Sequence, residues 1–143
     1  MVNLRPLYQS DLLFLLEVRN DDSTRNNLEN NSIFTYPECR TWFDYTQPKW
    51  YIIEVFEHPI VYSVGYIRTN GNEVGCDIHP NFRRKGYARK AYELYLKDKD
   101  YASLWVFEDN FAKNLYEELG FIANGKSRTI RDRNYIQMEY NGE

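Results

Sequence analysis

The chain reads as one α/β domain whose sheet carries strands of both directions. Two observations predict this. Short apolar runs of strand length are interspersed with segments whose apolar residues recur at helical spacing. An Asn70-Gly71-Asn72 turn then joins two neighbouring runs as an antiparallel hairpin. The length of 143 residues, with 43 % hydrophobic and 27 % charged, suits a single folded unit around one core.

The elements follow in the order βααβββαβαββ. Residues 4–7 form a short first strand. Ser10 or Asp11 caps a helix to about residue 19, with Leu12, Leu13, Leu15, Leu16 and Val18 as apolar positions. Residues 20–31, rich in Asn and Asp, read as loop or broken helix. Tyr36-Pro37-Glu38 opens a second helix to about residue 46, with Pro37 near the first turn, where its missing N–H costs nothing. Residues 51–56 are a strand, His58-Pro59 a turn, 60–68 the next strand and 73–78 its return. A helix runs from Tyr87 to about residue 97, with Tyr87, Ala88, Ala91, Leu94 and Tyr95 at helical spacing. Residues 103–107 are a strand, and 110–119 a helix stopped by Gly120. A final hairpin ends in Tyr135-Ile136-Gln137-Met138-Glu139-Tyr140.

Composition narrows the function. The net charge of −3 argues against a general nucleic-acid binder. No apolar run reaches membrane-spanning length and no secretory pattern is visible. Cys39 and Cys76 make no disulfide framework, so a cytoplasmic protein with reduced thiols is expected. His58 and His79 stand apart, each beside a Pro, and no Cys/His cluster has metal spacing; no metal is expected. Aromatic residues reach 17 %, with thirteen Tyr, enough to line a cleft or an interface.

The most telling stretch is Arg83-Arg84-Lys85-Gly86-Tyr87-Ala88, placed between a strand and a helix start. The first N–H groups of a helix lack intrahelical partners and sit at the positive end of its dipole, so an anion can rest on them. Gly86 presents no Cβ to an approaching pyrophosphate, and Arg83, Arg84, Lys85, Arg89 and Lys90 add cationic charge. The same residues would also serve as a solvated basic turn before an ordinary helix.

Three segments in order, Ile78-His79-Pro80 leading into that loop, Ala112-Lys113-Asn114-Leu115-Tyr116, and Glu118-Leu119-Gly120-Phe121, resemble the GNAT superfamily of acetyl-CoA-dependent N-acetyltransferases. The family's acyl-CoA motif is met by Arg83, Gly86 and Ala88. The stretch LYEELGF is similar to its second signature, and the N-terminal LRPLYQSDLLFLLEVRND and the later TWF look like one branch. That branch acetylates ribosomal-protein N-termini and nucleotide-linked amino sugars. The resemblance implies a mixed sheet with splayed fourth and fifth strands, acetyl-CoA as co-substrate, and its pyrophosphate on residues 83–89. It implies that the Ile78 main chain meets the pantetheine and that Asn110 or Asp109 takes a further contact. It makes Tyr116 the acid that protonates the leaving thiolate, a residue whose helical stripe with Ala112 and Leu119 would by itself read as core.

The acceptor is expected to be a small amine or amino sugar. A protein N-terminus and a non-catalytic acyl-CoA sensor remain as alternatives, and a homodimer is allowed. Arg19, Asn20, Arg25, Trp42, Phe43 and the turn over residues 128–135 are the expected acceptor contacts. Glu73, Asp77 and Glu54 are the candidate bases, with no choice among them.

Overall fold

Adjacent residues of each strand point to opposite faces of the sheet, so Ile52 and Ile53 enter two different apolar clusters. The computed structural model describes residues 1–142. Its strands are β1 (Val2–Pro6), β2 (Tyr51–Glu57), β3 (Ile60–Asn70), β4 (Glu73–Ile78), β5 (Tyr101–Phe107), β6 (Ile122–Ile130) and β7 (Arg133–Asn141). They form one sheet in the order β1-β2-β3-β4-β5-β7-β6. The helices are α1 (Leu12–Arg19), α2 (Asp22–Arg25), α3 (Tyr36–Thr46), α4 (Tyr87–Leu96) and α5 (Ala112–Leu119).

One cluster, with Ile53, Val64, Val74, Leu104 and Met138 from the sheet, packs against Tyr92 of α4 and Tyr116 of α5. The other joins Ile52 and Tyr66 to Leu12, Leu15 and Leu16 of α1 and Cys39 of α3. Truncating a fully buried Leu such as Leu12 to Ala is worth about 2–5 kcal/mol, the lost transfer energy plus the cavity. α3 begins where the sequence places it: Thr35 accepts from the Glu38 N–H and the Glu38 carboxylate accepts from the Thr35 N–H, a complete capping box.

All neighbouring strands are antiparallel except β4 and β5. That parallel pair meets only at Glu73 and Ser103, where the Ser103 N–H donates to Asn72 O at 2.9 Å. Beyond it β4 stays with β3 while β5 stays with β7, so the two part as the family resemblance implies. Gly65 of β3 permits this. A Cβ there would stand 2.3 Å from the Asp77 carbonyl oxygen, so any side chain would push the end of β4 away from β3.

A strap over residues 20–35 lies against the open end. An irregular segment must find partners for its own carbonyls, and arginines supply them. Arg19 donates to Ser32 O (2.8 Å) and Asn30 O (3.0 Å), and Arg25 to Asn20 O (3.0 Å) and Asn31 O (2.9 Å). The Asn20 side chain bonds both the carbonyl and the N–H of Phe34. From the β6–β7 hairpin, Arg131 donates to Leu28 O and Glu29 O, and Arg133 to Asn27 Oδ1. The sequence reading of loop or broken helix holds, with α2 as the broken piece. The expected acceptor roles of Arg19, Asn20 and Arg25 do not: their polar atoms hold the strap.

Candidate active site

The parted strands leave a cleft of about 500 Å³ that runs from the N-terminus of α4 to Tyr116 on α5. At its mouth, Arg84 (φ 62°) and Gly86 (φ 81°) turn the chain through left-handed conformations into α4. Gly86 is the N-cap and has no side chain to accept from the first turn, so those N–H groups face outward unpaired. Tyr87, Ala88 and Arg89 line the wall beside them.

The basic cluster divides. Arg83 donates to Ile78 O (3.0 Å), Ser23 Oγ (2.6 Å) and Thr24 Oγ1 (2.9 Å), tying the strap to β4. Its guanidinium is therefore a brace between strap and sheet, not the free cation that the sequence suggested. Arg89 pairs with the exposed Glu118 of α5. The exposed side chains of Arg84 and Lys85 have no protein partner among the described residues; Arg84 lines the cleft and Lys85 does not.

Further in, the His79 N–H donates to Val64 O of β3 at 2.8 Å. Alternation along the strand turns the Ile78 N–H the other way, into the opening left by β5. Asn110 also lines the cleft. Its Oδ1 accepts from the Ala112 N–H at 2.9 Å, while its amide hydrogens face no protein partner. Helix α5 thus starts two residues later than expected, with Asn110 folding over its first turn. Asp109 pairs with Arg133 at 2.7 Å and is absent from the wall, so of the two positions Asn110 is the one facing the cleft.

The inner end is Tyr116. Its ring packs edge-on against Tyr92, with centroids 5.5 Å apart, and against Phe121 at 6.1 Å. Burial is the main cause that pushes its pKa up to about 12, so the phenol keeps its proton at neutral pH. The neighbouring Tyr92 hydroxyl is buried without a hydrogen-bond partner. Cys76 lines the same wall, and desolvation there raises its thiol pKa above the ordinary value.

A second hollow of about 320 Å³ opens on the α1/α3 face of the sheet. All three tryptophans of the chain line it: Trp42 of α3, Trp50 before β2 and Trp105 of β5. Tyr135 stacks on Trp105 at 5.4 Å, and Arg128 lies over the Trp105 ring at 4.1 Å. Trp42 and Trp50 meet at 4.7 Å. Arg68 and Trp105 belong to both hollows and form their shared wall. Sequence reasoning named Trp42 and the turn containing Tyr135 but missed Trp50, Arg68 and Trp105; Phe43 packs between α1 and α3 instead. One signal could have found Arg68: counting back from the Asn-Gly-Asn turn sets Arg68 opposite Gly75.

Of the candidate bases, Glu54 is paired with Arg5 at 2.7 Å and Asp77 with Arg68 at 3.0 Å. Glu73 is exposed, unpaired among the described residues, and lines the second hollow. No group of three or more His, Cys, Asp or Glu among the described residues could hold a metal ion. No helix among them is long and apolar enough to cross a membrane.

The same architecture occurs in solved structures. A domain from Methanocaldococcus jannaschii is 20 % identical with a TM-score of 0.85, over 99 % of each chain. A spermidine N-acetyltransferase from Vibrio cholerae, in complex with CoA and spermine, is 20 % identical with a TM-score of 0.85, over 98 % of this chain and 95 % of that one. The YncA protein of Salmonella typhimurium with its cofactor acetyl-CoA is 17 % identical with a TM-score of 0.74, over 99 % and 94 %. No curated protein matches the sequence. Residues 12–121, well over half of the chain, match the family model described as the acetyltransferase (GNAT) family, and the chain therefore belongs to the GNAT acetyltransferases.

Proposed function

We propose that the protein transfers an acetyl group from acetyl-CoA to the primary amine of a small molecule by direct attack. The observation that carries this is the continuity of the 500 Å³ cleft: unpaired main-chain donors at the α4 N-terminus, the inward Ile78 N–H, and a buried protonated phenol lie along one path. The pyrophosphate rests on residues 84–88, with Arg84 as its free cation and Asn110 and Ile78 meeting the pantetheine. The Ile78 N–H polarises the thioester carbonyl. The amine enters from the second hollow, and Glu73 takes the proton that an ammonium must shed. The amine nitrogen bonds the carbonyl carbon, and the carbon–sulfur bond breaks. Tyr116 donates its proton to the departing thiolate and recovers one from the new amide nitrogen.

A hollow of 320 Å³ lies at the small end of ligand sites, which favours a compact amine over the protein N-termini and nucleotide-linked sugars of the branch that the N-terminal segment resembles. The test is thiol release from acetyl-CoA against panels of amines, amino sugars and peptides, alongside calorimetry of CoA binding. Release that depends on a small amine is expected. Binding without release for any amine would make the protein an acyl-CoA sensor.

A further inference from the structure

Arg68 is placed with unusual care. It leaves β3 on the α1/α3 face and lies across β4 at Gly75, its register partner. A Cβ on Gly75 would stand 2.4 Å from Nη2 and 2.5 Å from Cζ, so the guanidinium occupies the space where any other residue would have its side chain. Asp77 fixes it through Nε at 3.0 Å. Nη1 and Nη2 have no protein partner among the described residues, and the side chain stays 37 % exposed. It stands on the wall common to the cleft and the tryptophan-lined hollow.

Nε is anchored and the Nη edge is open, in a hollow whose aromatic walls are Trp42, Trp50, Trp105 and Tyr135 and which the Glu73 carboxylate also lines. A guanidinium edge presents two parallel N–H donors, which match a carboxylate. Resting on the proposed transfer to a small amine, we infer that the acceptor is an amino acid whose α-carboxylate is held by Arg68. The α-amine is one carbon from that carboxylate, so seating the carboxylate on the shared wall brings the amine to the cleft side. The side chain then fills the aromatic hollow. A polyamine offers Arg68 only like charge, which disfavours it.

The test compares matched acceptors: phenylalanine, its amide and phenethylamine; leucine, its amide and isoamylamine; and spermidine. The free amino acid of each set should exceed its amide and its decarboxylated amine about tenfold or more in kcat/KM. Because all three tryptophans line the hollow, leucine should also change tryptophan fluorescence saturably in the CoA-bound protein, independently of turnover. Arg68→Gln should lower kcat/KM for amino acids about ten- to a hundredfold, mainly through KM, and lower it far less for the decarboxylated amines. Gly75→Ala, which displaces the guanidinium without removing its charge, should reproduce the loss and serves if Arg68→Gln fails to fold. Equal use of amide and acid by the wild type, preference for spermidine, or an equal loss for all acceptors in Arg68→Gln would overturn the inference while amine acetylation stands. Failure to bind CoA in calorimetry would overturn the transferase reading itself, and this inference with it.

Discussion

The loop end of the cleft comes from one short stretch of chain, residues 83–89 without Lys85, and presents mainly backbone: a left-handed turn at Gly86 and the free N–H groups of α4. The tryptophan-lined hollow is made of side chains from separate places: α3, the segment before β2, β3, β4, β5 and β7. A backbone site tolerates change in most side chains around it, because the donors belong to the fold. A side-chain site changes its ligand with single substitutions. On the proposed function the cleft is the generic half and the hollow the particular half, and the wall between them carries Arg68.

The largest expected effect tests whether Tyr116 belongs to the chemistry or only to the wall. Tyr116→Phe keeps the ring contacts with Tyr92 and Phe121 and removes the hydroxyl. Turnover should fall about 10²–10⁴-fold with CoA affinity and melting temperature preserved. Full activity would reduce Tyr116 to a packing aromatic, and a joint loss of stability and activity would assign its hydroxyl a structural bond.

The buried inner end should also respond to alkali in a way that the exposed loop does not. The folded pKa of Tyr116 lies above its unfolded value, so its neutral form is favoured by folding. Stability is complete below about pH 10 and declines as pH rises toward 12, by about 2–3 kcal/mol for this group. Tyr66 and Tyr92, both fully buried with pKa values raised by burial, act in the same direction. Their tyrosinate absorbance should develop with unfolding rather than before it; smooth titration of every tyrosine in the folded protein would contradict this.

Substitution at Gly86 separates backbone from charge. A β-branched residue at φ 81° is strained by about 1–3 kcal/mol and intrudes on the ligand's approach. Gly86→Val should weaken CoA binding about tenfold or more by calorimetry, and unchanged affinity would move the site elsewhere. Replacing the arginines should have smaller effects that split by position. Arg84→Ala should raise the KM for acetyl-CoA about severalfold at low salt and less at high salt, because an exposed charge is screened. Arg83→Ala should instead loosen the strap through Ser23 and Thr24, seen as faster hydrogen exchange over residues 20–35 with little salt dependence. Identical salt-dependent KM effects for both would erase the distinction between brace and cation.

The residues that resisted sequence reading show why. Arg83 and Arg84 are indistinguishable neighbours in a string, yet one meets Ser23 and Thr24 across the molecule and the other meets solvent. The sequence left Asn110 and Asp109 as alternatives, and the fold separates them because Arg133, on a strand paired to β5, captures Asp109 and leaves Asn110 on the cleft wall. Arg19, Asn20 and Arg25 looked like free polar groups beside a cleft, but the carbonyls of the strap claimed them first.

By itself the sequence determined what depends on neighbours along the chain. Periodicity set the helices and strands, Thr35 and Glu38 set the start of α3, the Asn-Gly-Asn turn set the β3–β4 register, and Gly86 set the left-handed turn that opens α4. These are local because helix caps, turns and strand alternation are governed by residues within a few positions of one another. Only the tertiary structure decided which charges stay free, which carboxylate stays unpaired, and that three distant tryptophans meet around Arg68. Those outcomes depend on long-range pairing, where each guanidinium or carboxylate takes whichever partner the folded sheet brings within hydrogen-bond reach, and no spacing along the chain records that distance.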